Sequence, residues 1–223
     1  MPEPVKTRTY ASRLRREQAD ATRRGVLASA RTLFTAGGYA QTSVADIARH
    51  AGVSLDTVYV SVGRKPQLLL AVHDMILGSS EEPIPAQERG YVRRIREAET
   101  AEDKITLYAQ ALAELLPQTV PLHMALSEAG CREQPCRELR QSIDARRRSN
   151  MRLFAADLRS TGQVREDLTD DHVADLVWSM NSPEYFQLLT DAGYTPDQYA
   201  DAVTDTWTKT FLAKGPPRGT LAP

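Results

Sequence analysis

The sequence predicts an all-α fold, a small three-helix head followed by a larger helical body. Three observations predict it. Apolar residues recur at helical spacing along most of the 223-residue chain, and β-branched residues are scattered rather than alternating. Glycines, prolines and Ser/Thr caps punctuate that pattern at helix-length intervals. Charge is divided as well. Residues 1–65 hold eleven Lys/Arg and five Asp/Glu, whereas the remainder holds 17 and 24, so a chain of net charge −1 joins a basic head to an acidic body.

The elements follow in order. Residues 1–16 read as a basic, flexible arm, with Lys6, Arg8, Arg13, Arg15 and Arg16 against Glu3. Its arginines suit a minor groove or a diffuse attraction to phosphate. A first helix is predicted over 17–36, where Val26, Leu27, Ala30, Leu33 and Phe34 form a stripe that ends at Gly37 and Gly38. Ser43 and Asp46 make a capping box for a short second helix with Val44, Ile47 and Ala48 on one face. Gly52 follows, where the chain turns with positive φ. Ser54 caps a third helix over 55–60. Two short helices around a glycine turn form a helix-turn-helix, whose second helix is built to enter the DNA major groove.

Helix four begins at Lys65 and carries Leu68, Leu69, Val72 and Ile76 to Gly78, and 78–85 is a Gly/Ser/Pro-rich loop. A charged helix is expected over 86–98. Thr100 and Asp103 cap a helix with Ile105, Tyr108, Ala109, Leu112, Leu115 and Leu116 inward, which Pro117 and Pro121 are expected to break before a short helix over 122–130. A long helix spans 135–160, with Leu139, Ile143, Asn150, Phe154 and Leu158 inward. Thr169 caps the next, Pro183 interrupts it, and Thr195-Pro196 with Gln198 opens the last helix. The tail 214–223 reads as disordered.

The run LFTAGGYAQTS, then VADIARHAGVS, then TVY, then Lys65 before Leu68, Leu69 and Leu70 resembles the DNA-binding domain of the tetracycline-repressor (TetR) family. The pieces span about a quarter of the chain. Where that family carries an aromatic residue just after the recognition helix, this chain has Val62. The resemblance implies a DNA-binding domain over 1–64 and an effector-binding, dimerising domain over 65–223, with helix four as the link. It implies a transcriptional regulator, a repressor by family habit, that binds a near-palindromic DNA operator as a homodimer and is released by a small-molecule effector.

The residues that would read DNA follow from position. Leu55, Asp56 and Val58 flank the exposed start of the recognition helix. Leu55 suits a thymine methyl, and Asp56 suits either a cytosine amino group or the helix dipole. Ser54 caps that helix. By resemblance, Thr57 and Tyr59 contact phosphate or base, and Thr42 and Ser43 grip phosphate. Ser43 reads equally well as a plain cap. Lys65, at a helix N-terminus, is the favoured phosphate contact, with Arg64 second.

By the same resemblance the body encloses a ligand pocket, for which Tyr108, Met124, Met151, Phe154, Trp178 and Met180 are candidate lining. The dimer interface is expected in 171–189 and 196–212, with Tyr199, Val203, Trp207 and Phe211 as an apolar stripe. That stripe has a competing reading as internal core. Arg146, Arg147, Arg148 and Arg152 suit an anionic effector, or partners for nearby acids.

Other function classes leave weaker traces. There is no glycine-rich phosphate loop, metal-spaced His/Glu pair or nucleophile elbow, so no enzyme and no cofactor is expected. Cys131 and Cys136 with His123 upstream permit redox or metal sensing, although C-x4-C is not a standard zinc spacing. A helical protein-binding adaptor is a further alternative. Residues 1–20 lack the apolar core of a signal peptide, and no apolar run spans a membrane. With two cysteines only, the expectation is a reduced, cytoplasmic protein.

Overall fold

A computed structural model describes residues 6–213, with side chains from residue 12. The expectations for the tail and for the Arg8 side chain lie outside the described residues. The helices are α1 (Lys6–Gln41), α2 (Val44–Ala51), α3 (Leu55–Ser61), α4 (Lys65–Gly78), α5 (Gly90–Glu97), α6 (Ala101–Gly130), α7 (Gln134–Ser160), α8 (Asp170–Met180), α9 (Pro183–Asp191) and α10 (Pro196–Phe211), with a 3-10 turn at Ala86–Glu88. The fold is all-α. Two compact units form, one from residues up to Ile84 with Ala125–Leu139, the other from Pro85–Met124 with the residues from Arg140 onward. α4, the expected link, lies in the first unit and packs on α1.

In the first unit, Val26, Leu27, Ala30 and Phe34 are buried, as the stripe predicts. α1 corrects the flexible arm: the chain is helical from Lys6, and Arg13, Arg15 and Arg16 stand exposed on that helix. The composition explains this, since residues 13–30 are mostly Arg, Leu, Glu, Gln and Ala, and Arg13 pairs with Glu17 one turn on at 2.8 Å. The helix breaks at Gly38 (φ 73°, ψ 169°), where the Thr42 hydroxyl donates to the Gly38 carbonyl at 2.8 Å.

α2 carries the expected capping box. Asp46 N–H donates to Ser43 Oγ, and the Asp46 carboxylate accepts from the Ser43 hydroxyl and N–H. Those bonds, with Arg49 beside them, hold the Asp46 carboxyl below its ordinary range. Gly52 closes α2 at φ 68°, the left-handed region. His50 Nδ1 reaches Ser29 Oγ at 3.0 Å, and Arg23 donates to the Ser61 carbonyl at 2.5 Å, so α1 holds both short helices. Gly130 ends α6 where a Cβ would lie 3.3 Å from the Arg137 backbone, and Arg137 Nε bonds the Gly130 carbonyl at 2.9 Å.

In the second unit, the predicted break at Pro117 and Pro121 is absent: both prolines lie inside one continuous α6. A proline removes one helical N–H and crowds the carbonyl four residues back. Here the two are four residues apart and both exposed, so the damage falls on one solvent-facing strip. The Gln118 and Thr119 side chains donate to the carbonyls of Glu114 and Leu115. Leu115, Leu116, Val120 and Leu122 are buried on the other faces and keep the helix on course.

The core of this unit gathers Tyr108, Phe154, Trp207 and Phe211 with Val173, Val177 and Val203. Tyr108 packs against Phe154 (centroids 4.9 Å apart) and Trp207 (5.8 Å). The caps at Thr169, Ser182 and Thr195 form as local rules dictate, with a full capping box at Thr195 and Gln198. Arginines of α7 meet aspartates of α8: Arg148 with Asp175, Arg152 with Asp171 and Arg159 with Asp170, at 2.8–3.0 Å. The arginine run therefore zips two helices together.

Lys104 is 3% exposed. Its ammonium donates to the carbonyls of Ile95 and Arg96 at the end of α5 and to Asp157 on α7 at 2.9 Å. One cation thus satisfies a helix C-terminus and joins three helices. Lys104→Met strands those acceptors, so thermal or urea unfolding should show a loss of about 2–3 kcal/mol. A loss within experimental error would remove this role.

Candidate functional site

α3 is seven residues long, too short to persist alone. It is held by Ser54, whose Oγ accepts from Thr57 N–H at 3.1 Å, and by Val58, which is fully buried. Burial of Val58 decides which way the helix faces. Leu55, Asp56, Tyr59 and Val60 point to solvent, with Val60 88% exposed. Val58 is therefore corrected from a DNA contact to the anchor of the reading helix. Val60, left out of the sequence-based set, belongs to the outward face.

Thr42 is corrected too. It is 5% exposed, and its hydroxyl is committed to the carbonyls of Gly38 and Leu33. Ser43 and Ser54 are exposed, and both hydroxyls serve as caps. Thr57 is half-buried, with its hydroxyl 2.7 Å from Ser54 Oγ. Val62 is half-buried at the end of α3, and the Val62 N–H closes onto the Val58 carbonyl.

Arg64 is exposed at the N-cap of α4, and no side chain caps that helix. Pro66 in the first turn carries no N–H, so fewer donors need satisfying there. The Lys65 ammonium lies 4.1 Å from the centre of the Tyr39 ring. Tyr39 Oη in turn meets Cys136 Sγ at 3.2 Å, and Cys136 Sγ lies 3.4 Å from Glu133 Oε2. Partial burial lowers the Lys65 pKa, and burial pushes those of Tyr39 and Cys136 up. Lys65 is thus a partly desolvated cation fixed at a helix N-terminus, where a phosphate gains from both. Sequence reasoning missed the Tyr39–Cys136 support because it links residues 97 positions apart.

Cys131 is exposed and Cys136 buried, and neither is in a disulfide. A buried thiol with a raised pKa has little thiolate for metal binding or redox attack. Among the described residues no group of three or more His, Cys, Asp or Glu could hold a metal ion.

The body brings five of the six candidate pocket residues toward one polar node. Asn181, 4% exposed, donates to Tyr108 Oη at 2.7 Å and to Met151 Sδ at 2.9 Å, and accepts from Arg147 at 2.6 Å. Arg147 also lies over the Trp178 ring at 5.7 Å, and Phe154 packs on Tyr108. Met180 Sδ accepts from the indole N–H of Trp207 at 3.3 Å. Met124 is corrected, since it is 41% exposed on α6 and outside this cluster. Asn181 and Arg147 are the members the sequence concealed. Burial raises the Tyr108 pKa, which keeps its hydroxyl protonated.

The α10 stripe is corrected as well. Tyr199, Val203, Trp207 and Phe211 are each 0% exposed within the single chain, so they have no surface to offer a partner subunit. Trp207 and Phe211 stack at 6.4 Å, and Tyr199 meets Phe186 edge-on at 5.0 Å.

The profile of the bacterial regulatory proteins of the tetR family matches residues 26–72, the span from the α1 stripe through the first half of α4. Residues 26–72 are thus a head domain of the tetR type. Solved structures share the fold. One is described as a transcriptional regulator from Saccharomonospora viridis in complex with choline (18% identity, 87% of this chain and 100% of that chain covered, TM-score 0.67). Another is the regulator FadR from Bacillus subtilis in complex with stearoyl-CoA (19%, 82% and 96%, 0.62). A third is NalD, the secondary repressor of the MexAB-OprM multidrug efflux pump in Pseudomonas aeruginosa (17%, 86% and 98%, 0.61). No curated protein matches.

The matched head is the DNA-binding part of such regulators, and two of its residues are expected to act differently on DNA. Lys65→Ala should weaken binding to every DNA sequence by roughly fivefold and flatten the log-affinity against log-salt slope by about one. Asp56→Ala should instead change base preference at one position of each half-site. Titrations of specific and scrambled duplexes across a salt series separate the two. Equal losses on both duplexes for both variants would remove the Asp56 role.

Proposed function

We propose that this TetR-family regulator is a cytoplasmic repressor that binds a near-palindromic operator as a homodimer and leaves it when a small-molecule effector occupies the body. The observation that carries the reading is the outward face of α3, anchored by Val58, in an N-terminal third of net charge +6. One such helix covers too few base pairs for useful specificity, which is why pairing follows. Pairing uses surfaces other than the buried α10 stripe.

The effector reading is supported by the node around Asn181. It sets a buried amide and a guanidinium among Tyr108, Phe154 and Trp178, the mix of apolar walls and few fixed polar groups that small-molecule sites use. Crystallised members of the fold hold ligands as unlike as choline and stearoyl-CoA, so the fold leaves effector chemistry to side chains. Among the described residues no helix is long and apolar enough to cross a membrane.

Selection of genomic DNA fragments by the full-length protein tests the reading. It should enrich a dyad-symmetric sequence with half-site centres about ten base pairs, or a multiple of that, apart. Sedimentation should give a 2:1 complex or a higher even stoichiometry. Binding that enriches no sequence, or that resists rising salt, would support a protein-binding adaptor instead.

A further inference from the structure

The outward face of α3 has an unusual chemistry for a base-reading surface. At about 100° per residue, positions 55, 59, 56 and 60 fall in that order on one arc of roughly 140°, with Val58 behind it. Leu55 is 41% exposed, Tyr59 44% and Val60 88%, and Asp56 is also exposed. None of the residues LDTVYVS is Arg, Lys, Asn or Gln. Those are the side chains that bond guanine O6/N7 or adenine N6/N7 in bidentate fashion. The arc therefore lacks the usual means of reading a purine.

What it offers instead is two branched aliphatic groups, a ring, and one carboxylate that only accepts hydrogen bonds. Among the base edges of the major groove, the thymine C5-methyl is the apolar group, and the cytosine N4 amino group is a donor that suits a carboxylate. Resting on the regulator reading above, we propose that α3 identifies its operator chiefly through thymine methyl groups seated against Leu55 and Val60, with Asp56 accepting from a cytosine amino group. DNA, rather than a protein, is the occupant that the surroundings favour. Arg64, exposed, and Lys65, half-exposed, follow α3 within four residues of its end, and the N-terminal third that carries it is basic. A valine left open to water gains both burial and dispersion when a methyl is placed on it.

The test replaces each half-site thymine of the selected operator, one at a time, with deoxyuridine. That change deletes the methyl and keeps the hydrogen-bonding edge. Affinity of the full-length protein should fall about threefold to fourfold at one or two positions per half-site. Val60→Ala or Leu55→Ala, both at exposed positions, should bind more weakly and lose that discrimination, so that thymine and deoxyuridine operators become equivalent. Operators whose half-sites contain no thymine under the protein would overturn the proposal. So would deoxyuridine operators that bind as tightly as the parent at every position while sequence-selective, salt-dependent binding persists; that outcome leaves the regulator reading intact. If selection enriches no sequence, both readings fall together.

Discussion

Burial of Val58 is the constraint on which the reading surface depends. A helix of seven residues gains little from its own hydrogen bonds. It keeps one orientation because Val58 has no exposed surface, Ser54 closes its start, and Gly52 turns the chain into it at φ 68°. Rotate α3 by one residue and Thr57 or Tyr59 would take the place of Val58 in the head core while Val58 met water. That costs far more than the helix can supply. The outward set of Leu55, Asp56, Tyr59 and Val60 is therefore a consequence of core packing, and the chemistry of DNA recognition is inherited from it.

The head also carries a less obvious support. Lys65 sits over Tyr39, whose hydroxyl meets Cys136 in the segment Ala125–Leu139 of the same compact unit. That segment is the corner between α6 and α7, and both helices continue into the body. The start of α4 thus leans, through one tyrosine ring, on the α6–α7 corner within the head unit. Here the buried Cys136 thiol acts as a packing group. Cys136 is a partner for Tyr39 in a region where burial suppresses its ionisation.

How much of this was legible in the chain depends on the range of the interaction. Caps and turns are local, and Ser43 with Asp46, Gly52, Ser54, Thr169 and Thr195 with Gln198 all stand where nearest-neighbour rules put them. Lys65 opens α4 and Gly78 ends it, also as read. The failures are tertiary. Pro117 and Pro121 carry a local breaking signal, which burial of Leu115, Leu116, Val120 and Leu122 overrides. The stripe of Tyr199, Val203, Trp207 and Phe211 has a clear period, but periodicity cannot say whether the partner is the same chain or another. Val58 and Val60 are identical in type, and a six-residue window gives too little period to tell anchor from reader. Lys104 and Asn181 were invisible because their partners lie up to 53 and 73 residues away.

Placing a photocrosslinking residue on α3 tests the orientation of that helix most directly. Benzoylphenylalanine at position 60 of the full-length protein, irradiated with operator DNA, should give a covalent protein–DNA adduct mapped to the centre of each half-site. The same group at exposed Leu188 on α9 should give none. An absent adduct from position 60, in a protein that still binds operator with unchanged affinity, would mean that α3 does not present this face to the bases.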